Sequence, residues 1–217
     1  MTGSVEVLPH IQIEGHESSG LGDERHPMRV ITRRIAGLAP GGWDAEVSNE
    51  VVGVFDELAP EWHSRTSAQR TAVVEDALNR GFDASGRHLA VEVGAGIGTY
   101  SGLLAERFNV VVSLDLSMEM TRRAPSGPSH RLLADGGLLP VRDRSVDAVV
   151  LINAFLFPNE VTRVLHVGGT LIWVNSSGEE TPIHLSTKDV VSVLPFPVEG
   201  RESRAGAGTW CVLRRTA

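Results

Sequence analysis

The sequence has very little cysteine and no long apolar run. Cys211 is its single cysteine, which excludes an intramolecular disulfide framework and is typical of a protein from a reducing compartment. No apolar stretch approaches the length of a membrane-spanning helix, and the first residues do not resemble a secretory signal peptide. We therefore expect a cytoplasmic protein without a membrane span.

An excess of positive charge is also absent. The formal net charge is −7 at pH 7, from 20 Lys and Arg against 27 Asp and Glu. Because phosphate binding needs a basic surface, this balance argues against nucleic acid as the main partner. The 41% of hydrophobic and 22% of charged residues are ordinary for a soluble globular protein, and 217 residues suffice for one domain with a full-sized core.

A recognisable metal-ligand pattern is missing as well. His10, His16 and His26 lie in an N-terminal segment, but their spacing fits no helical or zinc-finger geometry and no cysteine accompanies them. We predict no metal site.

What the sequence does contain is a glycine-rich segment between a short apolar run and a helical pattern. Residues 91–101 read Val-Glu-Val-Gly-Ala-Gly-Ile-Gly-Thr-Tyr-Ser. Glycine allows a sharp turn and a close approach of ligand to backbone, and the following helix directs unpaired N–H groups to the same place. The spacing Glu-x-Gly-x-Gly-x-Gly differs from the Gly-x-Gly-x-x-Gly of dinucleotide folds. It predicts a site for a nucleotide-like ligand.

Further apolar runs that end in acids follow this segment. Residues 109–116 are a nearly continuous apolar run containing Asp115 near its end, residues 130–135 end in Asp135, and residues 146–154 are almost wholly apolar. Such runs are typical of parallel strands covered on both faces. An acid at the tip of the second strand can accept hydrogen bonds from both hydroxyls of a ribose.

Taken in order, these motifs resemble those of class I S-adenosylmethionine-dependent methyltransferases. Family members commonly read Asp-x-x-x-Leu-Pro-Phe-x-Asp-x-Ser-Phe-Asp-x-Val, and residues 139–149 read Leu-Pro-Val-Arg-Asp-Arg-Ser-Val-Asp-Ala-Val after Asp135. Residues 160–171 are similar to Glu-x-x-Arg-Val-Leu-Lys-Pro-Gly-Gly-x-Leu, with His166 and Val167 replacing the lysine and proline. Residues 55–62 are similar to the Tyr/Phe-Asp-x-x-Ala-x-x-Tyr of the methyltransferase type 11, quinone-biosynthesis-like small-molecule subgroup, with Trp62 replacing the tyrosine.

The resemblance implies an α/β fold with a Rossmann-like, seven-stranded, mostly parallel sheet. It would have an antiparallel final hairpin, helices on both faces and an N-terminal helical extension. We expect residues 1–27 to be flexible or weakly ordered, although Val5 and Val7 alternate as in an edge strand. Residues 28–84 would form a helical cap or lid, with one helix capped by Asp44, and residues 85–217 the S-adenosylmethionine-binding domain.

The same resemblance implies a site for S-adenosylmethionine, with S-adenosylhomocysteine as product. The matched positions, all near strand ends, are Glu92, Gly94, Ala95, Gly96, Asp115, Leu116, Asp135, Gly136 and Asn153. The residues of the glycine loop would let the backbone approach the methionine and ribose moieties. Glu92 would orient that loop and receive the methionyl ammonium directly or through water.

Each of the remaining positions would contact a different part of the cofactor. Asp115 would accept from the ribose hydroxyls and Leu116 would pack on the adenine. Asp135 and the Gly136 amide would address the adenine edge, and Asn153 would line the methionine end. On the residues alone, loop caps are the alternative for Asp115 and Asp135, although their strand-end spacing favours ligand contact, and Asn153 could equally be a turn residue.

The catalytic side is less marked in the sequence. Methylation of a phenol or enol benefits from a base, and His63 and His184 are the candidates. Either could equally be an ordinary surface histidine. Residues 153–156 read Asn-Ala-Phe-Leu and not the Asn/Asp-Pro-Pro-Tyr/Phe of amide- and base-N-methylating members, which argues against methylation of DNA bases or glutamine.

Three functions remain open. The first is a methyltransferase that moves a methyl group to an O, C or N atom of a small molecule, as a monomer or homodimer. The second is a non-catalytic S-adenosylmethionine-binding or scaffold protein of the same fold. The third, a nicotinamide-dependent oxidoreductase, is disfavoured by the alternating glycines and the lack of a Tyr-x-x-x-Lys pair.

Overall fold

The computed structural model describes residues 4–15, 21–83 and 88–217. His16 and the predicted boundary between residues 84 and 85 lie outside the described residues. An eight-stranded sheet is formed, in the order β1-β7-β8-β6-β5-β2-β3-β4. Its strands are Val5–Val7 (β1), Leu89–Val93 (β2), Val110–Asp115 (β3), His130–Leu133 (β4), Val146–Ile152 (β5), Leu165–Asn175 (β6), Val198–Ala205 (β7) and Gly208–Arg215 (β8).

The sheet is mostly parallel, with β8 antiparallel to both β6 and β7. This confirms the predicted fold class, including the final hairpin. The structure adds a short strand to the seven expected: β1 pairs in parallel with β7, Val5 lying opposite Gly200. Backbone hydrogen bonds continue this pairing to Leu8, whose N–H donates to the Glu202 carbonyl at 2.8 Å. The N-terminal segment thereby covers one edge of the sheet.

The helices lie on both faces of the sheet and before β2. Two of them are extended by a tighter or a wider turn at the C-terminal end. They are Pro27–Ile35 (α1), Ala45–Leu58 (α2) with the 3-10 helix Ala59–Arg65, Ala68–Asp76 (α3) with the π-helical turn Ala77–Gly81, Ser101–Ala105 (α4), Met118–Arg123 (α5), Pro158–Val164 (α6) and Thr187–Val193 (α7), besides the 3-10 turn Gly178–Glu180. No helix in these described ranges is long and apolar enough to cross a membrane.

Side-chain alternation along the central strands divides the core between the two faces. In β5, Val149 and Leu151 pack in the cluster that contains residues of α6 and α7. Val150 and Ile152 belong to the other cluster, with Val73 of α3. Because β5 is covered on both faces, its sequence is an almost uninterrupted apolar run.

A third apolar cluster joins the N-terminal helices to the end of the sheet. Met28 and Ile31 of α1 and Val51 of α2 are buried against Phe155 and Ile183, which follow β5 and β6. The cap at the start of α2 is as predicted: an Asp44 carboxylate oxygen accepts from the Val47 N–H at 2.9 Å. These helices therefore lie over the carboxyl ends of the central strands.

The matched Glu-x-x-Arg segment has a structural role in α6. Glu160 accepts from Arg163 at 2.7 Å and from the Leu139 N–H at 2.6 Å. Arg163 also donates to the carbonyls of Leu139 and Val141, at 2.8 and 2.7 Å. The pair fixes the loop that leads into β5.

Candidate functional site

The glycine loop after β2 borders a cavity at the carboxyl ends of the parallel strands. Gly94, Gly96 and Gly98 have φ of 70°, 56° and 75°, in the left-handed region that glycine adopts without strain. A Cβ on Gly94 would lie 2.7 Å from the Cβ of Ala154. Both the backbone conformation and the space therefore require glycine, and the loop presents bare backbone to the cavity.

Glu92 lies beneath this loop and lines the cavity, with only 2% of its surface exposed. The hydroxyls of Ser101 and Ser113 donate to its carboxylate at 2.6 and 2.8 Å. Burial raises the pKa of Glu92, and the two hydroxyls oppose that shift. Glu92 consequently ties β2, α4 and β3 together under the loop.

Asp115 ends β3 and faces the same cavity. One oxygen accepts from the Gly96 N–H at 2.7 Å and the other from the Ser117 N–H at 2.8 Å. Burial raises the pKa of Asp115, and these amides oppose the shift. Each oxygen of a carboxylate can accept a further hydrogen bond, so Asp115 keeps capacity for two donors. Leu116 lines the cavity beside it.

Asp135 follows β4 and is linked to the N-terminal helices. Its Oδ1 accepts from the Gly137 N–H at 2.7 Å and from the Trp43 indole at 2.8 Å, and its Oδ2 lies 3.0 Å from the same indole nitrogen. Gly136 and Trp43 line the cavity. Trp43 thus stands at the edge of the cavity and holds the Asp135 carboxylate.

Asn153 follows β5 and lines the cavity with Ser176, which follows β6. Its side chain donates to the Ser176 hydroxyl at 2.9 Å and accepts from the Ser176 N–H at 2.8 Å. Asn153 has φ of 52°, a conformation that asparagine tolerates better than most residues. The pair fixes the two strand ends relative to each other.

The cavity has a volume of about 460 Å³ and two unlike walls. We call residues 92–96, 115–117 and 134–137 the nucleoside wall. We call residues 26–28 and 43–62 the lid wall; from it Trp62 lies over the glycine loop, since a Cβ on Gly96 would be 3.4 Å from the Trp62 indole nitrogen. The lid wall is mainly apolar, its lining residues being His26, Met28, Trp43, Val51, Val52, Val54, Phe55, Leu58 and Trp62.

The two predicted bases are not brought to this cavity. His63 is exposed on the 3-10 helix after α2, and His184 is half-buried after β6, but neither is among the lining residues. Burial lowers the pKa of His184, and the charge of Arg29 lowers it further.

Several cavity residues were not predicted from the sequence. His26 lines the cavity, and its Nδ1 accepts from the Met28 N–H at 3.2 Å. Arg70 and Tyr100 line it on the opposite side. Burial raises the pKa of the Tyr100 phenol, although Arg70 and the Ser176 hydroxyl oppose this. No periodicity marks these positions, because they come from loops and helix starts; only the place of Tyr100, directly after the glycine motif, was a usable signal.

Two described histidines away from the cavity have structural partners. His166, in β6, lies 3.0 Å from Asp147 Oδ1, and His10 contacts the Gly206 carbonyl at 3.0 Å. Although burial favours its protonated form, hydrogen bonds from His166 and the amides of Leu89 and His88 lower the pKa of Asp147. Within the described residues no group of three or more His, Cys, Asp or Glu could hold a metal ion.

Comparison with known proteins shows which part of the chain is similar to a described family. A family model described as "Methyltransferase domain" matches residues 91–173. The chain is 30% identical over 142 residues to a malonyl-[acyl-carrier protein] O-methyltransferase from Marinomonas sp., covering 59% of this chain and 52% of that protein. It is 27% identical over 128 residues to an uncharacterised Methanocaldococcus jannaschii protein, covering 56% of this chain and 60% of that one. The chain thus spans between half and two thirds of these relatives.

Solved structures share the fold at low sequence identity. The DhpI structure in complex with S-adenosylhomocysteine aligns with a TM-score of 0.64 at 16% identity, over 80% of this chain and 99% of that one. An S-adenosylmethionine-dependent methyltransferase from Aquifex aeolicus aligns with a TM-score of 0.59 at 17% identity, over 73% and 98%. A chain from the Haloferax volcanii complex of the Trm112 methyltransferase activator with a methyltransferase gives 0.61 at 18%, over 75% and 98%.

The family match and the strand-end geometry agree with each other. The matched residues include the glycine loop and Asp115, which the fold places at one cavity. They support S-adenosylmethionine as the cofactor. Residues 91–173 match a methyltransferase domain, and the fold is that of class I S-adenosylmethionine-dependent methyltransferases.

Proposed function

We propose that the chain transfers a methyl group from S-adenosylmethionine to a small, mainly apolar acceptor. The observation that carries this proposal is a single cavity of about 460 Å³. One side of it is the nucleoside wall of glycines and strand-end acids, and the other is the apolar lid wall. A cofactor and a small acceptor could therefore meet inside one cavity.

The nucleoside wall has features that fit the cofactor. Gly94 and Gly96 leave space that a Cβ would fill or narrow, so a ligand can reach the backbone. Asp115 keeps accepting capacity for two ribose hydroxyls after its bonds to Gly96 and Ser117. Glu92, beneath the loop, is a suitable acceptor for the methionyl ammonium, and Asn153 would border the same end. Leu116 would contact the adenine, with Asp135 and Gly136 at its edge.

The chain's task is then to bind, orient and exclude water. S-adenosylmethionine supplies a methyl group on a sulfonium that is itself a good leaving group. Phe55 and Trp62, whose rings lie 5.7 Å apart edge to face, would cover the reacting end and keep water out. The lid segment within residues 28–84 is accordingly a part of the site, as the proposed domain division implies.

The acceptor side offers hydrogen-bond donors. Because Nδ1 of His26 accepts from the Met28 N–H, the neutral imidazole carries its proton on Nε2 and acts as a donor. Tyr100 keeps its phenolic proton, since burial raises its pKa. Arg70 adds a positive charge, its Nη1 donating to the Arg65 carbonyl at 2.5 Å. These groups suit an acceptor with an acidic group that is nucleophilic without deprotonation.

One relative points in the same direction. The Marinomonas protein is named for O-methylation of a malonyl group, which carries a carboxylate, and 59% of this chain aligns with it. We therefore favour methylation on oxygen over carbon or nitrogen. His63 and His184 would be needed as bases only for an acceptor that must lose a proton. Cytoplasmic location and a monomeric or homodimeric state remain predictions.

Titration calorimetry with S-adenosylhomocysteine tests the cofactor half of the proposal. Asp115→Ala should weaken binding by about 1–3 kcal/mol, because hydrogen bonds to two hydroxyls and the support of the loop are lost. Asp143→Ala, which removes an acid outside the cavity, is the matched control and should bind as the wild type does. Equal affinity of folded Asp115→Ala and wild type would refute the site.

The second experiment separates catalysis from the alternative of a non-catalytic binding or scaffold protein. Radiolabelled S-adenosylmethionine is incubated with a panel of small carboxylic acids, phenols and amines, and labelled products are counted. Transfer to an acid, abolished in Gly94→Ala, supports the proposal. Tight cofactor binding without transfer to any compound class would favour the scaffold.

A further inference from the structure

The contact between Trp43 and Asp135 joins the lid wall to the nucleoside wall. The indole N–H is shared between both carboxylate oxygens, at 2.8 and 3.0 Å. Trp43 also touches Gly137, since a Cβ built there would lie 2.7 Å from the Trp43 Cδ1. Trp43 and Gly136 line the cavity, and the Asp135 carboxylate that the indole contacts does not.

The surroundings of Trp43 would allow its side chain to move away from Asp135. Its ring packs edge to face on Phe157 at 5.3 Å and against Phe155 at 6.1 Å, which are contacts without directional bonds. Directly before it, Gly41 has φ of 114°, and nothing lies within 4 Å of a Cβ built on Gly42. A Cβ on Gly41 would lie 3.1 Å from Arg34 Cδ, at the end of a flexible side chain, so the backbone freedom before Trp43 lies mainly at Gly42.

We propose that Trp43 is a specificity-determining latch for the nucleobase, an inference that rests on the proposed function. In the closed state the indole N–H is shared by both oxygens of Asp135, and the ring stands on the cavity side of that carboxylate. A nucleobase with an N–H donor of its own donates to Asp135 in place of the indole. Trp43 then moves away, and rotation at the Gly41–Gly42 pair lets the start of α2 move outward.

The chemistry of the donors explains the selectivity. The exocyclic amine of adenine is a planar N–H donor like the indole, so it can replace the indole at the carboxylate with little loss. Hypoxanthine carries an oxygen in the place of the exocyclic amine, so its lone pairs would face those of Asp135, and its nearest donor, N1–H, lies one ring position away. An inosine-type ligand therefore leaves the latch closed and binds without the contact to Asp135.

Calorimetry with two ligands tests the proposal on the full chain. Trp43→Phe keeps an aromatic ring but lacks the N–H. The ligand no longer has to break the hydrogen bond between the indole and Asp135, so the variant should bind S-adenosylhomocysteine about fivefold more tightly. Its affinity for S-inosylhomocysteine should stay within twofold of wild type. Trp62→Phe, on the same lid wall but over Gly96, is the control and should not reproduce this pattern.

An NMR measurement on the wild type gives a readout that does not depend on a variant. The indole N–H signal of Trp43, one of four tryptophans, is identified by its contacts with the Phe157 ring. Saturation with S-adenosylhomocysteine should shift this signal, and S-inosylhomocysteine should leave it in place.

The outcomes separate the two proposals. Binding of S-adenosylhomocysteine with an unmoved Trp43 signal, or weaker binding by folded Trp43→Phe, overturns the latch and leaves the cofactor assignment standing. No binding of S-adenosylhomocysteine to wild type or to Trp43→Phe overturns both.

Discussion

The nucleoside wall and the lid wall are held by different kinds of contact. In the nucleoside wall, backbone amides and serine hydroxyls bond directly to the carboxylates of Glu92 and Asp115. In the lid wall, apolar side chains such as Met28 and Val51 pack against Phe155 without directional bonds. A wall fixed by hydrogen bonds is preorganised for one ligand, whereas a wall of apolar contacts can separate and close again. We therefore expect the nucleoside wall to be rigid and the lid wall to adapt to the acceptor.

Two side chains of the N-terminal segment, one in the loop before α2 and one in α2, cross between the walls. Trp43 bonds to Asp135, and Asp56 of α2 accepts from the Ser117 hydroxyl and from the Glu119 N–H at the start of α5. The lid wall is thus anchored at the nucleoside wall by a few polar contacts and otherwise rests on apolar packing.

The largest expected effect comes from breaking the rigid wall at Gly94. Gly94→Ala places a Cβ 2.7 Å from that of Ala154 and forces alanine to φ of 70°. We expect S-adenosylhomocysteine affinity to fall about 100-fold or more, because strain of a few kcal/mol is introduced where the ligand approaches the backbone. Gly102→Ala, where no atom lies within 4 Å of the new Cβ, is the control. Calorimetry showing less than a threefold loss in folded Gly94→Ala would contradict the rigid-wall assignment.

Substitution of Arg70 sharpens the comparison from the acceptor side. Arg70→Met should lower kcat/KM for an acidic acceptor about 10- to 100-fold, since a charge-assisted hydrogen bond is lost. S-adenosylhomocysteine affinity should change less than twofold. Arg142→Met, an exposed cation outside the cavity, should leave both quantities unchanged. If Arg70→Met instead loses cofactor affinity, Arg70 belongs with the cofactor and the division between the walls must be redrawn.

Glu92 allows binding and stability to be separated. Glu92→Gln should weaken S-adenosylhomocysteine about 5- to 10-fold through loss of the anionic partner of the ammonium. Because burial raises the folded-state pKa of Glu92, the native state binds more protons than the unfolded state, and its ionisation costs stability as pH rises above the unfolded pKa. Thermal unfolding should therefore show a smaller loss of stability between pH 5 and about pH 8 in Glu92→Gln than in wild type. A steeper loss in the variant would show that the carboxylate stabilises the fold when ionised.

The smallest effect is expected far from both walls, at the Asp147–His166 pair. The pKa of Asp147 is lowered in the folded state, so its contribution to stability is present above the unfolded pKa and is lost as pH falls through the folded pKa. Asp147→Asn should cost about 1 kcal/mol at pH 7, and the difference from wild type should vanish in acid. Urea unfolding at pH 7 and near pH 3 checks this, and cofactor affinity should stay unchanged.

The parts of the fold that follow local rules were predictable. The apolar run that became β5 and the glycine motif after β2 carried their own signals, since burial on both faces and positive φ each restrict residue choice. The start of β6 carried no such signal: the strand begins at Leu165 and runs through Gly168 and Gly169. Pairing of Val146 with Leu165 beyond the irregularity in register accounts for the extension.

The residue positions on the cofactor side of the site could likewise be predicted from the sequence, because parallel strands bring their carboxyl ends to one edge of the sheet. The roles assigned to Asp115 and Asp135 remain to be tested. The acceptor side could not be placed: His63 and His184 were chosen for their chemistry and lie away from the cavity, while His26, Arg70 and Tyr100 line it.

By itself, the sequence indicated the buried parallel strands and the glycine loop, since these depend on apolar runs and on backbone restrictions within short segments. The final hairpin was expected from the family resemblance of its motifs. Only the tertiary structure decided which side chains face the acceptor and that Trp43 holds Asp135 across 92 positions of the chain. Those contacts depend on how α1 and α2 pack over the strand ends. Many apolar residues of similar size can fill the same space, so the spacing of apolar residues along the sequence does not show which side chains will contact each other.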